Sequence, residues 1–250
     1  MAKIIPKIDT VFLRHGQAIY LRHLSVDCVI FGFHENQLKV LLLKWKAGPL
    51  CLPGGFVKKE ESLQDSATRT LYERTALKNI FLHQFHAFGH PKREKGKARD
   101  TKLRGTWLQD RFVTIGYYAL VDYLKVKPHP DLFSDECKWW DIDSVPRLLY
   151  DHNEILINAL EALRLDLHYH PIGYRLLPEK FTMPELQRLY ETILGKPIDR
   201  RNFQKKILSL KILVRLKERK TGGAHKAPYL YRFDKVKYEK ALREGLAGGF

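Results

Sequence analysis

The chain has 250 residues, of which 44% are apolar and 12% aromatic, enough for one large or two ordinary packed domains and too apolar for a disordered chain. Its longest apolar runs, such as residues 40–43 and 113–121, are strand-sized and fall short of the ~20 residues of a membrane span, and residues 1–10 lack the apolar core of a secretion signal. Cys28, Cys51 and Cys137 are odd in number and lack CxxC spacing, which argues against a disulfide framework or a cysteine zinc site and fits a reducing cytoplasm, while a net charge of +16 calls for an anionic partner.

In chain order, residues 25–33 and 37–45 are strand-like runs around His34-Glu35-Asn36, a hairpin signal. Cys51-Leu-Pro-Gly-Gly55 marks a turn. A helix follows over residues 62–75, with Leu63, Ala67, Leu71 and Arg74 along one stripe. Strands are expected at residues 80–88, 111–123 and 138–142, then a helix at 151–167. Residues 91–104 read as a solvated basic loop, with 7 basic and 2 acidic residues. His83, His86 and His90 lie on a strand, where that spacing does not converge on zinc.

The pattern changes near residue 170. Residues 168–178 read as a linker, and Thr182-Met-Pro-Glu185 is a capping box that opens a helix ending at Gly195. Asp199 caps a second helix, whose Phe203, Ile207 and Leu210 oppose a polar face. Residues 213–220 and 229–233 form a hairpin with a basic tip. Residues 168–250 carry 19 basic against 8 acidic side chains, so most of the positive excess sits in this third of the chain.

Gly55, Glu61, Arg69, Leu71, Glu73 and Leu77, led in by Leu52-Pro-Gly-Gly55, hold the register of the Nudix box, the signature of hydrolases of nucleoside diphosphate derivatives, and the resemblance covers residues 20–165. It implies three glutamates at i, i+3 and i+4 on one helix face, holding a divalent metal against a diphosphate. Here those positions are Thr70, Glu73 and Arg74, and Ala76 replaces the usual glycine. A guanidinium beside a Mg²⁺ site repels the ion, so no metal, no cofactor and no turnover are expected. Gly54, Gly55, Glu61, Arg69 and Glu73 remain as effector-binding candidates, with Glu61 and Arg69 bracing the loop. Leu13-Arg-His-Gly16 matches the phosphohistidine motif of phosphoglycerate-mutase-like phosphatases over four residues only, and is read as coincidence.

Residues 181–195, 199–203 and 227–234 resemble the winged helix-turn-helix of NrtR-type Nudix-related transcriptional regulators. That resemblance implies a homodimer on inverted-repeat double-stranded DNA, with a sensor domain that takes a sugar or an ADP-ribose-like nucleotide. The residue chemistry agrees. Arg200, Arg201 and Asn202 occupy the first turn of the second helix, where base edges are read, and Lys205 and Lys206 suit phosphates. Lys220, His225 and Lys226 at the hairpin tip suit a wing on the DNA backbone.

The expected molecule is therefore α+β, a Nudix-fold α/β/α sandwich followed by a winged helix-turn-helix. Residues 1–167 form the effector-sensing domain, 168–178 the linker and 179–250 the DNA-binding domain. The expected function is that of a cytoplasmic transcription regulator, a repressor, with no membrane partner. The alternative is a divergent Nudix hydrolase whose basic tail binds nucleic acid. An RNA-binding module is weaker, because exposed aromatic strands are not evident. Trp107, Trp139 and Trp140 are candidates for stacking on a ligand.

Overall fold

The computed structural model describes residues 10–46, 48–78, 80–93, 105–130, 134–220 and 227–244. Two compact units emerge. The first holds residues 1–30, 40–119 and 126–159, and the second holds 31–39, 120–125 and 160–250. No helix among the described residues is long and apolar enough to cross a membrane.

The chain begins with helix α1 (Thr10–Ile19), then β1 (Tyr20–His34) and β2 (Gln37–Trp45). The expected hairpin is formed with a two-residue turn, since β1 takes in His34, and Glu35 and Asn36 are both at positive φ, 50° and 61°. Two short strands, β3 (Leu50–Cys51) and β4 (Gly54–Lys58), lead into α2 (Leu63–Thr75). Strands β5 (Phe81–Phe88), β6 (Val113–Leu120) and β7 (Ser134–Asp141) follow, and then α3 (His152–Tyr169). The strands join in one sheet in the order β3-β2-β1-β6-β5, with β4 on β1 and β7 on β2. Neighbouring residues of a strand face opposite ways. Cys28 of β1 lies against α2, its Sγ 4.0 Å from the Ala67 carbonyl oxygen, while Asp27 lies by His152, at the start of α3. Helices thus flank β1 on both faces, as the expected sandwich requires.

Helix α1 is one of the elements that hydrophobic periodicity did not indicate. It is held by an aromatic cluster in which Phe12, Tyr20 and Phe56 surround Trp107 and Phe112. Trp107 stacks on Tyr20 at 5.8 Å and donates from Nε1 to the Phe12 carbonyl at 3.0 Å. A Cβ at Gly16 would stand 2.5 Å from the indole nitrogen. The glycine of Leu13-Arg-His-Gly16 thus serves packing, since only a bare backbone lets the indole lie on the helix.

The second unit contains β8 (Phe181–Thr182), α4 (Met183–Leu194), α5 (Arg200–Ser209), β9 (Leu213–Arg219), β10 (Tyr229–Phe233) and α6 (Lys235–Glu244). Its sheet runs β8-β10-β9. The Thr182 capping box is formed, with Glu185 N–H donating to Thr182 Oγ1 and Thr182 N–H donating to Glu185 Oε2. The segment expected as a linker is instead part of this unit's core: Ile172, Leu176 and Leu177 are buried, and the Ile172 N–H donates to Tyr190 Oη at 3.2 Å. A Cβ on Gly173, whose φ is +140°, would press on Leu186 and Phe233. Ile172 and the adjacent pair Leu176 and Leu177 give this segment burial, which a free connector would not offer. Helix α3 also continues unbroken to Tyr169, and the division between units falls within it, ahead of the expected end at residue 167.

Candidate functional sites

Glu61 and Arg69 make the centre of the first site. Arg69 donates from Nη2 to Glu61 Oε1 at 2.6 Å, from Nε to Glu61 Oε2 at 3.1 Å, and from Nη2 to the Phe56 carbonyl at 2.9 Å. The Lys58 N–H donates to the same carboxylate at 2.7 Å. Burial alone would raise the Glu61 carboxyl, but hydrogen bonds from Arg69 and Lys58 outweigh it and hold the group near about 2. Burial opposes the Arg69 charge as well, and the bond to Glu61 holds its pKa above the usual value. The pair fixes the loop between β4 and α2.

The other box positions surround this brace. Glu73 is partly exposed, 3.5 Å from Arg69 Nη1 and 3.8 Å from Arg74 Nη2. Arg74 is buried. A guanidinium therefore stands one residue along from the remaining glutamate, on the face where a metal would sit. Thr70 is fully buried, and its hydroxyl has no hydrogen-bond partner among the described residues. Among those residues, no group of three His, Cys, Asp or Glu side chains lies close enough to hold a metal ion.

Gly54 and Gly55 have a steric reason. A Cβ on Gly55 would stand 2.6 Å from Thr70 Oγ1, and one on Gly54 would stand 2.4 Å from Asp27 Oδ1. Successive residues of β4 face opposite sides, so each glycine makes room for a different polar side chain.

The Asp27 side leads to a buried charge network that sequence reasoning missed. Arg93 donates to both Asp151 oxygens, at 2.8 and 3.0 Å, and lies 3.6 Å from Asp27. His152 Nδ1 accepts from the Leu52 N–H at 2.9 Å, and its Nε2 lies 4.0 Å from Asp27. With Nδ1 accepting, the neutral ring carries its proton on Nε2, toward the carboxylate. Arg93 was expected in a solvated basic run, yet its side chain is 4% exposed. The run misled here because composition cannot separate a buried arginine from an exposed lysine such as Lys92; residues 94–104 lie outside the described residues.

The second site is the α4–α5 pair. Asp199 Oδ1 accepts from the Asn202 N–H at 2.8 Å and opens α5. Phe203 and Ile207 are buried, and the Phe203 ring meets Tyr190 edge-on at 5.2 Å. This anchoring leaves Arg200, Arg201, Asn202 and Lys205 exposed and Lys206 half-buried. Lys220, also exposed, is ion-paired with Glu185, so the capping carboxylate already neutralises part of its charge. His225 and Lys226 lie outside the described residues. Strand β9 adds a feature that the sequence reading passed over. Arg215 and Arg219 stack on the Tyr229 ring at 4.4 and 4.1 Å, and Arg219 Nη2 donates to Tyr229 Oη at 2.7 Å. The cations at 215, 217 and 219 alternate with period two, which was the available signal.

A capped, basic-faced α5 beside a β9–β10 wing, preceded by a box-bearing sheet and helix, defines a two-part class: a Nudix-type domain joined to a winged helix. The comparisons agree. The NUDIX domain matches residues 21–163, and the NrtR DNA-binding winged helix domain matches residues 173–233. The chain belongs to the Nudix family and carries a winged helix of NrtR type. It is similar to the ADPR responsive transcriptional repressor NtrR of Acinetobacter baylyi, at 29% identity over 224 residues, 86% of this chain and 84% of that protein. Shewanella oneidensis NrtR, whose structure was solved with a 27mer DNA, is 29% identical with a TM-score of 0.71, covering 87% of this chain and 96% of the other. The ADP-ribose pyrophosphatase of Methanocaldococcus jannaschii is 26% identical over 141 residues, 55% of this chain and 75% of that enzyme.

Proposed function

We propose that the chain is a DNA-binding transcriptional repressor whose Nudix domain senses an ADP-ribose-like nucleotide. One observation carries the reading: the box keeps its loop brace, Glu61 with Arg69, while a threonine and an arginine stand where a hydrolase needs metal-binding glutamates. Ligand binding needs the shaped loop, whereas turnover also needs the metal. The similarity to an ADPR responsive repressor favours a nucleotide over a free sugar. Gly54, Gly55, Glu61, Arg69 and Glu73 are the effector residues in this reading. Arg200, Arg201 and Asn202 read bases, and Lys205, Lys206, Lys220, His225 and Lys226 meet the backbone. Residues 1–167 then act as sensor and 179–250 as reader, the packed segment between them belonging with the reader. A two-fold homodimer on two inverted half-sites is the assembly this implies, and the cytoplasm is the compartment.

The hydrolase reading keeps one support, the similarity to an ADP-ribose pyrophosphatase. A single experiment separates the two. The full chain is equilibrated with ADP-ribose and Mg²⁺ or Mn²⁺, and the nucleotide is recovered. Binding with intact ADP-ribose is expected. Turnover that scales with protein and vanishes in Glu73→Gln would make the chain an enzyme instead.

A further inference from the structure

The first unit holds a cavity of about 440 Å³ that shares no residue with the box. Leu42, Leu50, Pro49 and Pro146 give it apolar walls, and Trp140 stands on one side. Lys44, Lys138 and Arg147 reach it as well, against a single carboxylate, Glu136. Alternation along the strands builds this set, since Leu42 and Lys44 share one face of β2, and Glu136, Lys138 and Trp140 share one face of β7.

The charges are arranged to leave an excess. Glu136 is paired with Lys138 at 2.7 Å, and its carboxyl is held below the usual range first by that bond and also by the charge of Lys44. The lining thus sets three cations, Lys44, Lys138 and Arg147, against the one carboxylate of Glu136, a net charge of +2. Trp107 is locked among Phe12, Tyr20, Phe56 and Phe112. Trp140, by contrast, is half-buried and makes no ring–ring contact among the described residues. A half-buried indole on the lining supplies a ring for stacking, and the net positive charge of the lining matches a phosphate monoester, which carries about −1.5 to −2 charge at neutral pH. The size falls in the range of small-molecule sites.

We propose that this cavity is a second small-molecule site, which takes a nucleoside monophosphate by stacking the base on Trp140 and holding the phosphate with Arg147 and Lys44. The site stands apart from the box, so the proposal does not rest on the sensing function proposed above.

The test is titration of the full chain with AMP, adenosine and inorganic phosphate, followed by calorimetry and by tryptophan emission. AMP is expected to bind at least tenfold more tightly than either fragment, with quenching that disappears in Trp140→Leu. Arg147→Gln, a change at an exposed position, should weaken AMP at least tenfold without altering the melting temperature. AMP is also a fragment of ADP-ribose and can enter the box cleft, so the titration is repeated with ADP-ribose in excess. Retention of the AMP signal under that excess, and its loss in both variants, supports the second site. Binding that ADP-ribose displaces, that survives both substitutions, or that is absent from the unmodified chain overturns it. Equal binding of adenosine and AMP overturns the phosphate assignment and with it the proposal.

Discussion

Glu61 illustrates how one side chain sets the geometry of the box loop. Its carboxylate accepts from Arg69 and from the Lys58 backbone, and these bonds hold it ionised to about pH 2. A carboxyl depressed in the folded state stabilises the fold above its unfolded pKa, and that stabilisation is lost as pH falls through the window toward the folded value. Glu61→Gln should therefore lower stability by about 1–3 kcal/mol at pH 7, the usual worth of hydrogen bonds to a charged group. Thermal melts of both proteins between pH 7 and about pH 3 check this: the gap should be constant above about pH 5 and shrink below it. A gap independent of pH would mean that the loss comes from shape and not from charge. The Glu61–Arg69 pair was legible, because the spacing of eight puts the helix residue back over the loop. The Asp27–Arg93–Asp151 network was not, because its members lie far apart in sequence and only the folded sheet brings them together.

At the scale of elements, α2 shapes the box and α5 presents the basic face. The box helix ends at Ala76, which adopts the left-handed conformation at φ 58° where the family pattern has glycine. A left-handed residue with a Cβ costs about 1–2 kcal/mol, part of which glycine returns through its freer unfolded chain. Ala76→Gly should thus raise stability by about 0.5–1 kcal/mol, read as a higher urea midpoint at unchanged slope. Unchanged or lower stability would show that the turn holds its shape without strain. On α5, two substitutions separate base reading from backbone holding. Arg201→Ala should cost about 1–3 kcal/mol on an operator and relax preference at one base pair, while Lys205→Ala should weaken all duplexes alike and flatten the salt dependence. Equal effects of both changes on operator and random DNA would place the reading face elsewhere. Periodicity of 3.6 residues made α2 legible, the Thr182 capping box marked α4, and the Asp199 cap marked α5. Helix α1 was hidden because tertiary contacts with Trp107 hold it, and α6 because charged residues fill its exposed faces.

At the scale of the molecule, the question is how a nucleotide held by one unit alters DNA held by the other. The positive excess is concentrated in residues 168–250, so affinity for DNA as a polyanion is a property of the reader. The ligand need not touch DNA to change this affinity; it must only bind differently to the DNA-competent and DNA-incompetent states. Coupling of this kind is typically 1–3 kcal/mol, roughly 5–150-fold, and linkage makes it reciprocal. If ADP-ribose releases the operator, then the operator must weaken ADP-ribose by the same factor. Anisotropy of labelled operator at fixed ADP-ribose levels gives one side of the cycle, and calorimetry of ADP-ribose with and without saturating operator gives the other. The two factors should agree and exceed fivefold. Operator affinity that stays within twofold at saturating ADP-ribose would leave the Nudix domain as a scaffold for assembly, with the reader acting alone.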